Sequence, residues 1–547
     1  MSDETMSASV DAQESGAEAP KSAKKLGFVP LVALIVGSSV GGGIFNATSG
    51  IAGSAPAGVA LLTWLFVGAG ILLLVLSINN IIKRTPQLVE QNPDQKEMLE
   101  SGGLVGYAEA GFGKFWGLMS GWGYWLSAWL GNVAFAALLL SAFAGLSPTG
   151  NGGLVDGVMF APDNIMPFMF VSLIMWFLVL LVSGGIESAA IINAIVLVAK
   201  FVPLLLVLIM GLVALKNGIL QKGFWDNVFA DDVMENTFNS AGWGAMSGGF
   251  MTMIWCFVGV EGACMFVDRA KNPKGVSKAT NTGFIILLVV YILLSVLPYG
   301  VFTQEELADL DTPALAYILK ETFGGSDAGL YIVNVGLILS LLGAWLSWTL
   351  LPVQTLEVMA NQGHIPARFA EKNKAGVPMA GLILSTVCCQ VFMLVFLFPN
   401  LAIGGEAPYD FFVFLCGNAI LVTWFFAALY QVKIALSENN GAKVAINLLI
   451  GLLAAGFQVL MMLAVGGMLI MTMLITYIPA FVLYYYTRKK NVDAKIKQAG
   501  IDGVTLSEKD TKVISSIEWV FMAIISVVAI VSVILVTTGT IDIYWVL

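Results

Sequence analysis

The sequence predicts an all-α polytopic membrane protein of about thirteen transmembrane helices, arranged as two inverted sets of five, with the first and sixth helices discontinuous. Three observations predict it. Of 547 residues, 58% are hydrophobic and 12% charged, with mean hydropathy +0.85, and the apolar residues gather in stretches of ~20, long enough to cross a hydrocarbon core. With the N-terminus inside, all but four of the 27 Lys and Arg residues lie in inner loops or tails, as the positive-inside rule requires. The four are Lys216, Lys222 and Lys320 in outer loops and Lys200 within a span. Finally, glycine-bearing interruptions fall in the first and sixth spans, the same place in consecutive sets of five helices, as an inverted repeat produces.

In chain order, residues 1–25 are polar, rich in Ala, Ser and Glu, and lack the apolar segment of a signal peptide; they are expected to form a disordered cytoplasmic tail. A core of twelve helices follows over 26–487. Its spans lie at 28–50, 58–82, 115–143, 165–183, 188–214, 247–266, 281–303, 329–352, 379–398, 409–432, 444–464 and 467–487. Residues 488–513, opening on Arg488, Lys489 and Lys490, form a cytoplasmic loop. Residues 514–547 hold the thirteenth helix, at 514–537, and a tail, which places the C-terminus outside.

The first span contains Gly37 to Phe45, GSSVGGGIF, where a helix should be strongest. Each interior glycine costs roughly 1 kcal/mol of helix stability relative to alanine, and backbone groups freed in a bilayer must find a partner in protein, water or ligand. Such a run serves either a close helix-packing seam or a site where half-helix ends and bare amides meet a carboxylate. The sixth span carries a comparable weakness at Gly259 and Gly262 in IWCFVGVEGACMF.

Ionisable and amide side chains within spans are costly and face cavities or partners. Asn132, Lys200 and Glu261 are of this kind, while Lys114, at a span edge, snorkels to the interface. Lys200 serves either as a cation between helices, in place of a coupling ion or as a proton donor, or as half of an ion pair with a carboxylate elsewhere. Trp255 and Trp348 are candidates for stacking on a cationic group. Acidic outer loops, at Asp226 to Glu235 and Glu305 to Asp311, read mainly as solvated rims. His364, in the inner loop sequence NQGHIPARF, reads as a loop or surface residue, with a proton role as the alternative.

Other function classes find no support. The Gly113-Lys114 dipeptide is followed by Phe115, so there is no phosphate-binding GxxxxGK[ST] string for an ATP-driven pump. Cys256, Cys264, Cys388, Cys389 and Cys416 lie within spans without metal-ligand spacing, and read as small buried residues. No metal, no cofactor, no enzyme activity and no nucleic-acid partner is expected. Expected partners are small molecules and the lipid bilayer, with a homodimer left open.

GSSVGGGIF, GWGYWLSAWLGN (Gly121 to Asn132), WCFVGVEGA (Trp255 to Ala263), SWTLLPVQT (Ser347 to Thr355) and NKAGVP (Asn373 to Pro378) together resemble the amino acid/polyamine/organocation superfamily over residues 26–540. GYWLSAWLGN with NAIVLVAKFVPLL and the thirteenth span resembles its basic amino acid branch, which holds arginine:ornithine antiporters and lysine permeases. The resemblance implies a leucine-transporter-like fold with substrate between spans one, three, six and eight. It implies that Ser39 and the amides of Gly41, Gly42 and Gly43 surround the substrate carboxylate, and that carbonyls near Trp255 and Phe257 accept from its α-amine. Trp255 would cover the substrate side chain, Asn132 offer its amide oxygen to the cationic head, Trp348 form a wall, and Ser127 with Ala128 line the opposite side. Tyr124 would close the pocket on the outer side. Glu261 would act as an inner carboxylate, and Lys200 match a lysine of proton-coupled carriers. Many exchangers of the superfamily have Gly-Ser-Gly where this chain has Gly41, Gly42 and Gly43, so a hydroxyl donor is missing.

The expected function is therefore exchange of arginine for ornithine across a plasma membrane. Alternatives are a proton-coupled or uniport lysine/arginine permease and an exchanger of an amino acid for its decarboxylation amine. From another class, a ligand-binding sensor would need an inner signalling domain larger than 488–513.

Overall fold

The computed structural model describes residues 27–146, 165–185, 190–216, 240–261, 273–397, 408–438, 441–464, 466–502, 504–507 and 511–541. These residues are mainly helical, and the one β-bridge among them joins Lys372 to Pro378. The expected disordered tail at 1–25 and the acidic segment Asp226 to Glu235 lie outside the described residues, as does Gly262 with the second half of span six.

The first span is two helices, α1 (Phe28–Ser39) and α2 (Gly43–Ala52), parted at Val40, whose ψ of 93° leaves the helical region, and at the bends of Gly41 and Gly42. The glycine run thus breaks the helix where its sequence weakens it. The chain continues through α3 (Ala57–Gln91), the short α4 (Lys96–Ser101) and α5 (Gly103–Phe112), then α6 (Lys114–Ala144), α7 (Met166–Ser183) and α8 (Ala190–Lys216). The sixth span begins as α9 (Ser240–Phe257) and leaves α-helical geometry at Val258. Gly259 has φ +109°, a conformation closed to most side chains.

Beyond it run α10 (Pro273–Val296), the outer-loop helices α11 (Gln304–Ala308) and α12 (Ala314–Thr322), α13 (Ala328–Asn361) and α14 (Met379–Met393). α15 (Pro408–Leu436), α16 (Gly441–Ala464), α17 (Gly467–Met473), α18 (Tyr477–Asp502) and α19 (Ser516–Thr537) complete the chain. Among the described residues ten helices are long and apolar enough to cross a membrane, and the remaining expected spans, one, five and six, hold the shorter apolar helices Phe28–Gly37, Val198–Val213 and Met246–Phe257.

Helix ends differ from the sequence expectation at the basic loops. Spans two, eight and twelve were bounded at 82, 352 and 487, yet their helices continue to Gln91, Asn361 and Asp502. Hydropathy marks where the membrane ends, whereas Lys, Arg, Glu and Gln remain good helix formers in water. The inner loop at 488–513 accordingly begins as helix.

His364 lies in a loop as expected, but the surface alternative is corrected: it is fully buried, with Nε2 2.9 Å from Glu109 Oε2 of α5. α5 folds beneath the end of α13, and Gly117 makes the room, since a Cβ there would lie 2.7 Å from His364 Cε1.

α6 forms the centre of the molecule, packed between α13 and α15. Its most apolar stretch is 89% buried, against 17% for α19. α19 therefore presents its apolar surface outward, and α6 carries the residues that face the helix breaks.

Candidate functional site

The site is built first from broken backbone. The last carbonyls of α1 have no intrahelical donor, and the first amides of α2 no intrahelical acceptor, so the break sets a negative helix end close to a positive one. Lys200 of α8 answers the negative end: its Nζ donates to the carbonyls of Gly37 and, at 3.0 Å, of Val40. The ion-pair alternative for Lys200 finds no carboxylate among the described residues; its partners are carbonyls. Tyr291 of α10 reaches the same region, its hydroxyl 3.2 Å from Ser39 O and 3.0 Å from Cys256 O. The hydroxyl of Ser39 itself turns back to Ile35 O, leaving the amides of Gly41, Gly42 and Gly43 as the donors at the positive end.

Across from the glycines stands an aromatic group. Trp255 meets Trp348 with ring centroids 5.8 Å apart, and Phe135 of α6 stands 5.7 Å from the first and 5.3 Å from the second, each pair steeply inclined. Close approach explains two glycines. A Cβ on Gly43 would lie 2.5 Å from Trp255 Cδ1, and one on Gly131 would lie 2.7 Å from Trp348 Cζ3 and 3.2 Å from Trp255 Cη2. Asn132 follows Gly131 and is 3% exposed. Its Nδ2 donates to Trp348 O at 3.2 Å, while its Oδ1 is buried without a hydrogen-bond partner among the described residues. A buried acceptor of that kind is costly when unpaired, and it belongs to the residue next to Gly131, which packs against both indoles, rings able to stack on a cation.

Glu261 lies beyond the break of the sixth span, 3% exposed, and its Oε2 accepts from Gly259 N at 3.0 Å. The side chains of Tyr124 and Trp424 reach the same carboxylate. Tyr124, expected to close the pocket on its outer side, precedes Asn132 by roughly two turns, about 12 Å along the axis, on the Lys114 end of α6, and lies by Glu261. Ser127 Oγ stands 3.2 Å from Cys416 Sγ, and Ala128 beside it is buried. The ring of Phe257 turns from the pocket onto Trp64, Phe284 and Tyr291, so only its backbone faces the break.

The structure thus gathers Gly41 to Gly43, Asn132, Trp255 and Trp348 at one place, Lys200 behind the first break, and Glu261 with Tyr124 below the sixth. Sequence reasoning missed Phe135, Gly131, Tyr291 and the whole of α15, which supplies Cys416 and Trp424. Gly131, beside Asn132 in the quoted motif, carried the one available signal; the others sit in ordinary apolar segments.

Comparison with known proteins bears on this arrangement. A model of the amino acid permease family matches residues 96–544. The chain is 39% identical over 480 residues to a protein of Lactococcus lactis named arginine/ornithine antiporter, covering 85% of each chain. It is 37% identical to an arginine/ornithine antiporter of Latilactobacillus sakei, covering 95% of this chain and 99% of that one. Among solved structures it resembles MhsT in complex with L-phenylalanine, with TM-score 0.53 and 15% identity over 80% of this chain and 98% of that one, which establishes a shared fold.

Proposed function

The chain belongs to the amino acid permease family, and from that premise we propose that it exchanges arginine for ornithine across the plasma membrane. The observation that carries the substrate class is the buried Oδ1 of Asn132, unpartnered among the described residues, next in sequence to the glycine on which Trp255 and Trp348 pack. It offers an acceptor and two π-faces to a guanidinium or ammonium, while the amides of Gly41 to Gly43 offer donors to a carboxylate. Relatives named for the same exchange support the pair of substrates.

Both substrates are monocations, so exchange moves no net charge. The two broken helices rock against α6 and α13 around the fixed site, with the N-terminus cytoplasmic and the C-terminus outside. Glu261, Tyr124 and Trp424 close the inner route, and opening it exposes the substrate to the cytoplasm.

One observation favours a second reading, a proton-coupled lysine or arginine permease. Lys200 is held by carbonyls alone among the described residues, and such a lysine can give up a proton without stranding a carboxylate. Proteoliposomes loaded with ornithine, with lysine or with buffer separate the two. Exchange predicts rapid uptake of labelled arginine only into amino-acid-loaded vesicles. Uptake into buffer-loaded vesicles as fast as into ornithine-loaded ones, driven by an imposed proton gradient, would select the permease.

A further inference from the structure

We propose that Tyr291 is a positioning residue for the substrate's α-ammonium, setting the distance between the two half-helix ends at which that group binds; this rests on the amino acid exchanger reading above. Its hydroxyl lies 3.2 Å from Ser39 O, the last residue of α1, and 3.0 Å from Cys256 O, one residue before the end of α9. These two carbonyls belong to different broken helices, distant in sequence, and one side chain from a third helix touches both.

The donor count at this point is unusual. Carbonyls at a helix end lack intrahelical donors, and away from water each needs one. Lys200 serves Gly37 and Val40, and Val258 N serves Trp255 O at 3.2 Å. Ser39 and Cys256 are left to share Tyr291, and a phenol has a single hydrogen to donate. An ammonium brings three, so its arrival adds donors where, among the described residues, two carbonyls share one. The tyrosine is held where it is: it is fully buried, with its ring 5.7 Å from Trp64 and 5.5 Å from Phe257. A rigid ring fixing two acceptors before the ligand comes is preorganisation, which lowers the ordering cost of binding.

The test is Y291F, which keeps the ring and removes the hydroxyl, beside Y299F as a matched control. Tyr299 is also a buried tyrosine of the same segment donating to a carbonyl, Ala55 O at 2.7 Å, away from both breaks. In reconstituted vesicles Y291F raises KM for arginine and for ornithine by the same factor, roughly three- to tenfold, because both carry the same α-ammonium, and kcat changes less. Y299F lowers the melting temperature but leaves both KM values where they were. An unchanged KM in Y291F, an equal KM shift in Y299F, or factors for arginine and ornithine that differ more than about threefold would each overturn the proposal. If Y291F is not recovered folded, 3-fluorotyrosine at position 291, a stronger donor in the same ring, lowers both KM values together, and no change in them counts against the proposal. Failure of the exchanger reading would show separately, as wild-type protein that does not exchange arginine for ornithine; the comparison is then made with the amino acids it does carry.

Discussion

The two helix breaks share Tyr291 but are otherwise held by different means. At the first, α1 ends on donors brought from far away: Lys200 and Tyr291 lie on α8 and α10, about 160 and 252 residues along the chain. At the sixth, Tyr291 also reaches Cys256 O from α10, but the bend that follows has a local clasp, Glu261 accepting from Gly259 N two residues before it. The first break therefore changes partners whenever α8 or α10 moves against α1, whereas the sixth carries its own clasp. This asymmetry suits a site in which the carboxylate end must respond to rearrangement and the opposite end must keep its shape.

Removing the distant donor gives the largest expected effect. Lys200→Ala leaves two buried helix-end carbonyls without their charged donor, at about 1.5–3 kcal/mol for each charge-assisted bond, and exchange falls at least roughly a hundredfold on that arithmetic. Initial rates of arginine uptake check it; a variant with near wild-type rates would show that the first break does not depend on α8.

Paired glycine substitutions sharpen the comparison. Gly43→Ala drives a Cβ into Trp255 and is expected to weaken arginine binding about tenfold through overpacking of roughly 1–3 kcal/mol. Gly259→Ala instead forces alanine into φ +109°, which strains the backbone by about 1–3 kcal/mol and appears first as lower thermal stability. Reversal of these two outcomes, affinity for Gly259 and stability for Gly43, would contradict the roles given to the breaks. The smallest effect is expected of Glu261→Gln. Its amide oxygen can still accept from Gly259 N, so binding changes by less than about threefold, and altered turnover with kept affinity would mark Glu261 as part of the inner closure.

What could be read from the sequence was what a short segment carries within itself. The glycine run of GSSVGGGIF, the tryptophan four residues before Gly259 and the amide of Asn132 each break a local rule for membrane helices, and each falls at the site. Tyr291 lies in the apolar run VVYILL and breaks none; its meaning comes from two carbonyls on other helices. Cys416 and Trp424 belong to the site because α15 packs along α6, and no spacing within either segment encodes that pairing. Position along α6 is legible for Tyr124, but its neighbour depends on where Glu261 falls. His364 lies in a loop as its sequence suggests, and its burial is not legible there because α5 supplies the cover.

The pocket is tested most directly by arginine binding to purified protein, wild type beside Asn132→Ala and Trp255→Leu, with melting temperatures recorded to confirm that each variant is folded. Loss of a hydrogen bond to a charged head predicts about tenfold or more weaker binding for Asn132→Ala, and loss of the indole face predicts a drop of at least a few-fold for Trp255→Leu. Unchanged affinity in both folded variants would contradict the placement of the substrate between the first break and the aromatic group.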